Sequence, residues 1–308
     1  MDVAVIICTR DRPALLRGAI AAAQAVCRPG DELVVVDSAS RDATGVALVV
    51  ERAGVRLERC SDPGVSRARN AGAAATSAPV LAFTDDDCRP QPGWTAAIAA
   101  AFGRREMGLV TGRVVPDRAG GKVLSVHLDE CPRTLSAYDD PAQAGSGANM
   151  AVRRGAFDAV GGFDEEFGPG ARFPAAEDHE LFWRVLRAGF AGSYVPDAVV
   201  VHEQWRGAGA FLRANFRYGV GSGALAARVA SVDRPRGRQL LRAGVVERGV
   251  GRALTHLRSG YELGAVAAAL TGAGAASGAL RASRHHWARL PSEHGSEGGD
   301  ELGGHVSG

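Results

Sequence analysis

Apolar runs of strand length alternate with stretches of helical periodicity along the first third of the chain. Val3-Ala-Val-Ile-Ile-Cys8 is continuously apolar, the pattern of a strand buried on both faces. Asp11 offers a cap and Pro13 a first-turn proline for a helix in which Leu15, Leu16, Ala19, Ile20 and Ala23 recur with helical spacing. Pro29-Gly30 closes that unit. Leu33-Val-Val-Val36 predicts a second buried strand, ending on Asp37. A helix from about Thr44 to Ala53, a strand at Val55 to Glu58 and a helix over Ser66 to Thr76 follow. The fourth strand, Val80-Leu-Ala-Phe83, runs into Asp85-Asp86-Asp87. This alternation predicts an α/β fold: a Rossmann-like, mostly parallel sheet flanked by helices. Ligands of such sheets sit beyond the carboxyl ends of the strands, where Asp37 and the aspartate triplet both fall.

The pattern is less regular from Gly108 to about Arg154. Gly120-Gly121 and Asp139-Asp140-Pro141 are turn signals, and a few strands with a loop shaping the acceptor side are expected. Glu177 to Ala188 reads as a strong helix: Leu181, Phe182, Val185 and Leu186 make one apolar stripe, and Gly189 is a natural stop. Ala198-Val-Val-Val201 predicts a strand ending on His202. Ala208 to about Ala282 is helical in character and rich in Arg and Ala, and Pro291 to Gly308 reads as a disordered Gly/Ser/Glu-rich tail. The expected division is an α/β domain over 1–205, with a regular first part over 1–105 and a less regular second part over 106–205, then a helical extension over 206–290 and the tail 291–308.

Composition narrows the function. A net charge of +2 gives no reason to invoke nucleic acid. Nearly all basic residues are Arg, with Lys122 the single lysine, which reflects composition rather than a binding stripe. Five scattered cysteines without a CxxC pair argue against a disulfide framework or structural zinc and fit a reducing compartment. Met1-Asp2 has no basic n-region and the first apolar run is too short for a signal peptide. The Ala- and Gly-rich run Leu263 to Leu280 is a poor membrane span and reads as a buried or surface-lying helix. The expected location is cytoplasmic, with peripheral contact at the inner face of the membrane as the variant.

Five groups of residues could carry chemistry. Three adjacent carboxylates at Asp85 to Asp87 repel one another and are stabilised by a hard cation such as Mg²⁺ or Mn²⁺. An acidic turn alone is the commoner explanation; the buried strand before it and the acidic strand end at Asp37 shift the balance. Glu177-Asp178 at a helix start is what the macrodipole favours, yet an ionised carboxylate there can also serve as a general base. His202 after an apolar strand is ordinarily structural, but a neutral imidazole could complete a Mn²⁺ shell. Gly145-Ser-Gly-Ala-Asn149 is either a flexible loop or a place where backbone approaches a sugar, with Asn149 supplying directed hydrogen bonds. Arg67, Arg69 and Asn70 are either a solvated helix face or guanidinium contacts to a diphosphate.

In this order the pieces resemble the family-2 glycosyltransferases of GT-A fold. The matching segments are Val5-Ile-Ile-Cys-Thr-Arg10, Leu33-Val-Val-Val-Asp-Ser38, Gly64-Val-Ser-Arg-Ala-Arg-Asn-Ala-Gly72, Leu81-Ala-Phe-Thr-Asp-Asp-Asp87, Gly147-Ala-Asn-Met-Ala-Val152, Gly161-Gly-Phe-Asp-Glu165 and Glu177-Asp-His-Glu-Leu181. The resemblance spans roughly Asp2 to Glu203 and is specific for the superfamily, not for a substrate. It implies that 1–205 is the catalytic domain, with residues 1–105 binding the nucleotide-sugar and residues 106–205 holding the acceptor and catalytic groups. It implies that Thr9 and Asp37 contact the base and ribose, with Arg10 nearby, and that Arg67 or Arg69 supports the nucleotide. Asp85 would touch the ribose or its phosphate and count among the metal groups; Asp86 would lie close to the donor. Asp87 would bind a divalent metal bridging the diphosphate, His202 would complete its shell, and Asp178 would take the acceptor proton. The implied reaction moves a sugar, with inversion, from a nucleoside-diphosphate sugar (a UDP- or dTDP-sugar by the family's habit) to a hydroxyl of a glycan, lipid-linked or small-molecule acceptor.

Processive synthases of the family carry QxxRW and several membrane spans. Gln204-Trp205-Arg206 has some of those letters at the wrong spacing, so single-sugar transfer is expected. The helices after Ala208 lie outside the resemblance, and acceptor choice and membrane docking are the roles left for them. A sugar nucleotidyltransferase typically opens with a Gly-rich loop that Cys8-Thr-Arg-Asp-Arg12 lacks. No GxGxxG follows the first strand, against a dinucleotide oxidoreductase. An inactive binding protein on the same fold is the remaining alternative; intact Asp85 to Asp87 and Glu177-Asp178 weigh against it.

Overall fold

The computed structural model describes residues 1–118, 123–285 and 287. The Gly120-Gly121 turn signal and the tail from Pro291 lie outside the described residues. Seven elements alternate first: β1 (Val3–Thr9), α1 (Pro13–Val26), β2 (Glu32–Ser38), α2 (Ala43–Arg52), β3 (Arg56–Cys60), α3 (Val65–Ala74) and β4 (Val80–Asp85). β5 (Cys88–Pro90), α4 (Trp94–Ala101), β6 (Met107–Pro116), β7 (Arg133–Leu135), α5 (Pro141–Ala144), β8 (Met150–Arg153) and α6 (Arg154–Ala159) follow. α7 (Glu177–Arg187) and β9 (Ala191–His202) complete the sheet and the helices that cover it.

The strands form one sheet in the order β3-β2-β1-β4-β8-β6-β9-β5, with β7 paired to β9. β3, β2, β1 and β4 are parallel, and β8 enters antiparallel between β4 and β6. Helices cover both faces, which is why the strands are continuously apolar. Leu16, Ile20, Val46, Trp94 and Ile98 pack on one face; Ala68, Phe157, Leu181 and Phe182 on the other. Registers Thr9↔Asp37 and Cys8↔Asp85 bring the ends of β1, β2 and β4 level, so the acidic residues share one rim.

Asp11 does not cap α1. Arg12 occupies that position without a side-chain cap, while Asp11 turns into left-handed space at φ 54°. Its carboxylate accepts from the backbone N–H groups of Arg41 at 2.6 Å and Asp42 at 3.3 Å, tying the loop after β1 to the loop after β2. Gly189 ends α7 as expected, at φ 90°.

The remaining helices are α8 (Ala208–Ala230), α9 (Arg234–Arg242), a π-helix (Ala243–Gly251), α10 (Arg252–Arg258) and α11 (Glu262–Ala282). α8 and α11 approach through glycines: a Cβ at Gly219, Gly223 or Gly278 would collide with the facing backbone. Arg228 of α8 ion-pairs with buried Glu180 of α7 at 2.9 Å and with Asp164 at 3.3 Å, which fastens these helices to the sheet. α11 is long and apolar enough to cross a membrane by length and composition, at mean hydropathy 1.5, and half of it is buried in the fold.

Candidate active site

A cavity of about 850 Å³ opens beyond the carboxyl ends of β1, β2 and β4. Thr9, Arg10, Ser38 and Gly64 line one end, and Arg69, Asp85, Asp87, Glu177, Asp178 and His202 its middle. The far end is walled by α8, α10 and α11 through Tyr218, Arg252, His256 and Thr271. The helical extension therefore belongs to the site.

Asp87 is the centre of a cationic cluster. Its Oδ2 accepts from Trp205 Nε1 at 2.8 Å and Arg12 at 3.2 Å, and lies 3.6 Å from Arg206. Arg206 stacks on Trp205 at 4.6 Å, with Arg12 at 5.6 Å from the same ring. Oδ1 faces His202 Nε2 at 3.5 Å. His202 Nδ1 is 3.1 Å from the Leu124 carbonyl, which takes an N–H there and leaves Nε2 toward Asp87. Burial opposes charge on Asp87, yet His202, Arg12 and Trp205 together hold its carboxyl well below the usual range. Ligand atoms of Asp87, His202 and Cys88 lie within 4.8 Å of one another. Burial raises the Cys88 thiol well above its ordinary pKa, so a hard cation finds the carboxylate and the imidazole instead. Those two groups fit a divalent ion. Asp85 is not in this cluster; its carboxylate is held by Arg69 at 3.0 Å.

Arg69 is buried and bridges Asp85 to Glu177, 2.9 Å away. Ala176, at φ 69°, sets the strained turn that aims the start of α7 into the cavity. Asp178 Oδ2 accepts from the Gly147 N–H at 2.6 Å, and a Cβ at Gly147 would press on Arg69 and Asp178. Burial and the Asp178 charge push Glu177 up to about 7 against the pull of Arg69. Burial also penalises charge on Asp178, but His179, Arg69 and the Gly147 and His179 N–H groups outweigh it and lower its pKa. The pair shares its charge unevenly: both line the cavity, with 14% of the Asp178 side chain and 10% of Glu177 exposed, but Glu177 is tied to Arg69 and Asp178 is the member held ionised.

A folded-state pKa above the unfolded one means that folding takes up a proton between the two. The Glu177 contribution to stability is thus fully present at low pH and lost as pH rises through about 7. Raising pH from about 5 to about 8 is expected to lower the melting temperature more in wild type than in Glu177→Gln. Parallel thermal-denaturation series with equal pH slopes would contradict this.

Besides Asp85, three expectations change. Asp86 is fully buried and faces inward, accepting from Thr9 Oγ1 at 2.7 Å and pairing with Arg12 at 2.8 Å. Burial pushes it up to about 7, so it braces the loop rather than meeting a donor. Arg67 points outward to Glu165, so of these two arginines it is Arg69 that lines the cavity. Asn149 is buried as a three-way staple: Oδ1 accepts from Trp94 Nε1 at 2.8 Å, and Nδ2 donates to the carbonyls of Arg113 at 2.9 Å and Ala198 at 2.7 Å. Asn149→Ala is therefore expected to cost roughly 1–3 kcal/mol in stability with donor KM unchanged, measured by denaturant unfolding beside steady-state kinetics. Asp37 sits at the rim, 1% exposed, accepting from the Ser40 N–H at 3.0 Å. Ser146, Gly147 and Ala148 do line the cavity, so that loop brings backbone to the site.

Residues 4–161, just over half of the chain, match the family described as Glycosyl transferase family 2. The chain belongs to that family. The "Pre-mycofactocin glycosyltransferase" of Mycobacterium tuberculosis is 28% identical over 216 residues, 66% of this chain and 43% of that protein. The chain thus spans less than half the length of that relative. The "N-acetylglucosaminyl-diphospho-decaprenol L-rhamnosyltransferase" of the same organism is 44% identical over 59 residues, 19% of this chain and 18% of that one. Among solved structures, the mannosyltransferase PcManGT from Pyrobaculum calidifontis, in complex with GDP-Man and Mn²⁺, superposes with TM-score 0.63 at 18% identity, covering 90% of this chain and 86% of that one. S. aureus TarS 1-349 gives 0.52 at 14% identity, covering 90% and 92%. The GT-A fold read from the sequence is the fold of this family-2 member.

The candidate site includes residues to which the sequence alone assigns no role in it. Arg12, Trp205 and Arg206 converge on Asp87 from segments nearly two hundred residues apart in the chain. In the sequence, Trp205 and Arg206 read only as a QxxRW motif at the wrong spacing, and Arg12 only as part of a loop without glycine. The helices that form the wall carry acceptor choice and membrane docking as their expected roles, with no residue among them singled out.

Proposed function

We propose that this family-2 member is an inverting, non-processive glycosyltransferase that uses a divalent cation and a nucleoside-diphosphate sugar. The observation that carries the reading is one cavity holding the Asp87–His202 pair and an ionised Asp178 beyond the strand ends. The Pyrobaculum complex with GDP-Man and Mn²⁺, on the same fold, supports it.

Asp87 and His202 would hold the cation, whose chemistry is to neutralise charge developing on the leaving diphosphate. Arg12 and Arg206 flank that point, and Arg69 adds fixed positive charge beside Asp85. Asp178 orients the acceptor hydroxyl and takes its proton as the bond from that oxygen to the anomeric carbon forms. The bond from that carbon to the diphosphate oxygen breaks on the opposite side, which inverts the centre. Thr9, Arg10 and Ser38 line the nucleotide end, and a UDP- or dTDP-sugar is the proposed donor. A hydroxyl of a glycan, lipid-linked or small-molecule acceptor enters from the side of α8 and α10. Five unpaired cysteines accord with a cytoplasmic site of action.

The test is to incubate the protein with UDP-, dTDP- and GDP-sugars, with and without Mn²⁺, and to identify products by mass spectrometry. Release of a nucleoside diphosphate, stimulated by the cation, is expected. Pyrophosphate release from a nucleoside triphosphate and a sugar phosphate would replace this reading with nucleotidyl transfer.

A further inference from the structure

We infer that the segment running from α9 through the π-helix to α10 docks on an anionic lipid bilayer. Helices on soluble proteins bury their larger apolar residues and turn small or polar ones outward. α9 still buries Leu240, but from Ala243 onward this segment does the reverse. Its inner face there is made of Ala243, Gly244 and Gly249, which lie against α11 so closely that a Cβ on Gly249 would stand 2.7 Å from the Gly272 Cα. Its larger apolar residues face out: Val246 is 47% exposed, Val250 54%, Leu254 49% and Leu257 58%. Their spacing of four, four and three residues keeps them on one stripe.

Charge selects the occupant. From Arg234 to Arg258 the segment carries seven arginines and one acidic residue, Glu247. Arg248 is engaged by Asp140 and Ser222, and Arg236 by Gln239. Arg238 and Arg242 are exposed and precede Val246 at four-residue spacing, and Arg258 follows Leu254 at the same spacing. Guanidinium groups at both ends of an outward apolar stripe match a layer of lipid phosphates over acyl chains. A two-fold contact between copies would bring these like charges together. Because α11 is half buried behind the segment, the contact lies in the interface and does not span the bilayer.

The same segment gives Arg252 and His256 to the cavity wall. Docking therefore brings the acceptor end of the cavity to the lipid surface, where a lipid-linked hydroxyl acceptor is presented. That consequence rests on the transferase reading; the docking itself does not.

The experiment is co-sedimentation of the full chain with vesicles of phosphatidylcholine, alone or with about one-third phosphatidylglycerol. Binding to the anionic vesicles, weakened by salt, is expected. It should fall at least about tenfold in Leu254→Ser/Leu257→Ser and also in Arg238→Gln/Arg242→Gln, with melting temperatures kept. Nucleotide-induced thermal shifts should be the same in all variants, which separates failure of docking from failure of the donor site. No binding to anionic vesicles, or equal binding by wild type and both variants, overturns the inference. So does light scattering that finds a dimer dissociated by the Leu254/Leu257 change while vesicle binding stays, since the stripe is then an interface between copies.

Discussion

Asp178→Asn is expected to cut sugar transfer about 10²–10⁴-fold while donor affinity stays within a factor of about two. Asn keeps the shape and can still accept from the Gly147 N–H, so the loop that carries Ser146 to Ala148 stays in place. What disappears is the negative charge that, in the proposed mechanism, receives the acceptor proton. The partner carboxylate sharpens this expectation. Glu177 sits near 7 partly because Asp178 is charged, so removing that charge eases ionisation of Glu177. Glu177 is nonetheless tied to Arg69 at 2.9 Å and cannot reach outward without breaking that pair. Single-turnover rates beside calorimetric donor binding would read both quantities. Wild-type turnover in Asp178→Asn, with loss in Glu177→Gln, would move the base to Glu177.

Asp87→Asn is expected to weaken cation-dependent donor binding by about 100-fold or more and to abolish stimulation by Mn²⁺. The loss is larger than for an ordinary surface aspartate because four groups converge on this carboxylate. Without its charge, Arg12 and Arg206 lose the carboxylate they share, and His202 loses the anion that raises its pKa against burial. Titration of Mn²⁺ into enzyme with donor, followed calorimetrically, checks this. A variant that keeps the cation response would put the metal elsewhere.

The fold was legible because burial on both faces writes itself as unbroken apolar runs. β1, β2 and β4 carry that signature, and their carboxyl ends bring Asp37, Asp85 and Asp87 to one rim. Side-chain direction was harder to read. Where β4 ends, neighbouring side chains turn to opposite sides, so Asp85 and Asp87 face the cavity while Asp86 turns inward to Thr9 and Arg12. Three identical residues in a row conceal that alternation. Asn149 was misread because a buried amide satisfying three backbone and indole partners has the same letter as one greeting a ligand. The cluster around Asp87 needs Arg12 and Arg206 to meet across the sheet, and Tyr218 and Arg252 reach the site only through glycine-mediated packing of α8 on α11 and of the π-helix on α11. Contacts of that range leave no periodicity in the chain.

The central claim is that this cavity binds a nucleoside diphosphate through a cation held at Asp87. It is tested most directly by thermal stabilisation of the protein against a panel of nucleoside diphosphates and nucleotide-sugars, with and without Mn²⁺. A ligand that binds only the folded state raises the melting temperature by mass action, by about 2.7 kcal/mol in stability at a hundredfold excess over Kd. The account predicts a cation-dependent shift with one nucleotide, lost in Asp87→Asn and retained in Asp178→Asn. No shift with any nucleotide in well-folded protein, or a shift that Asp87→Asn leaves intact, would contradict it.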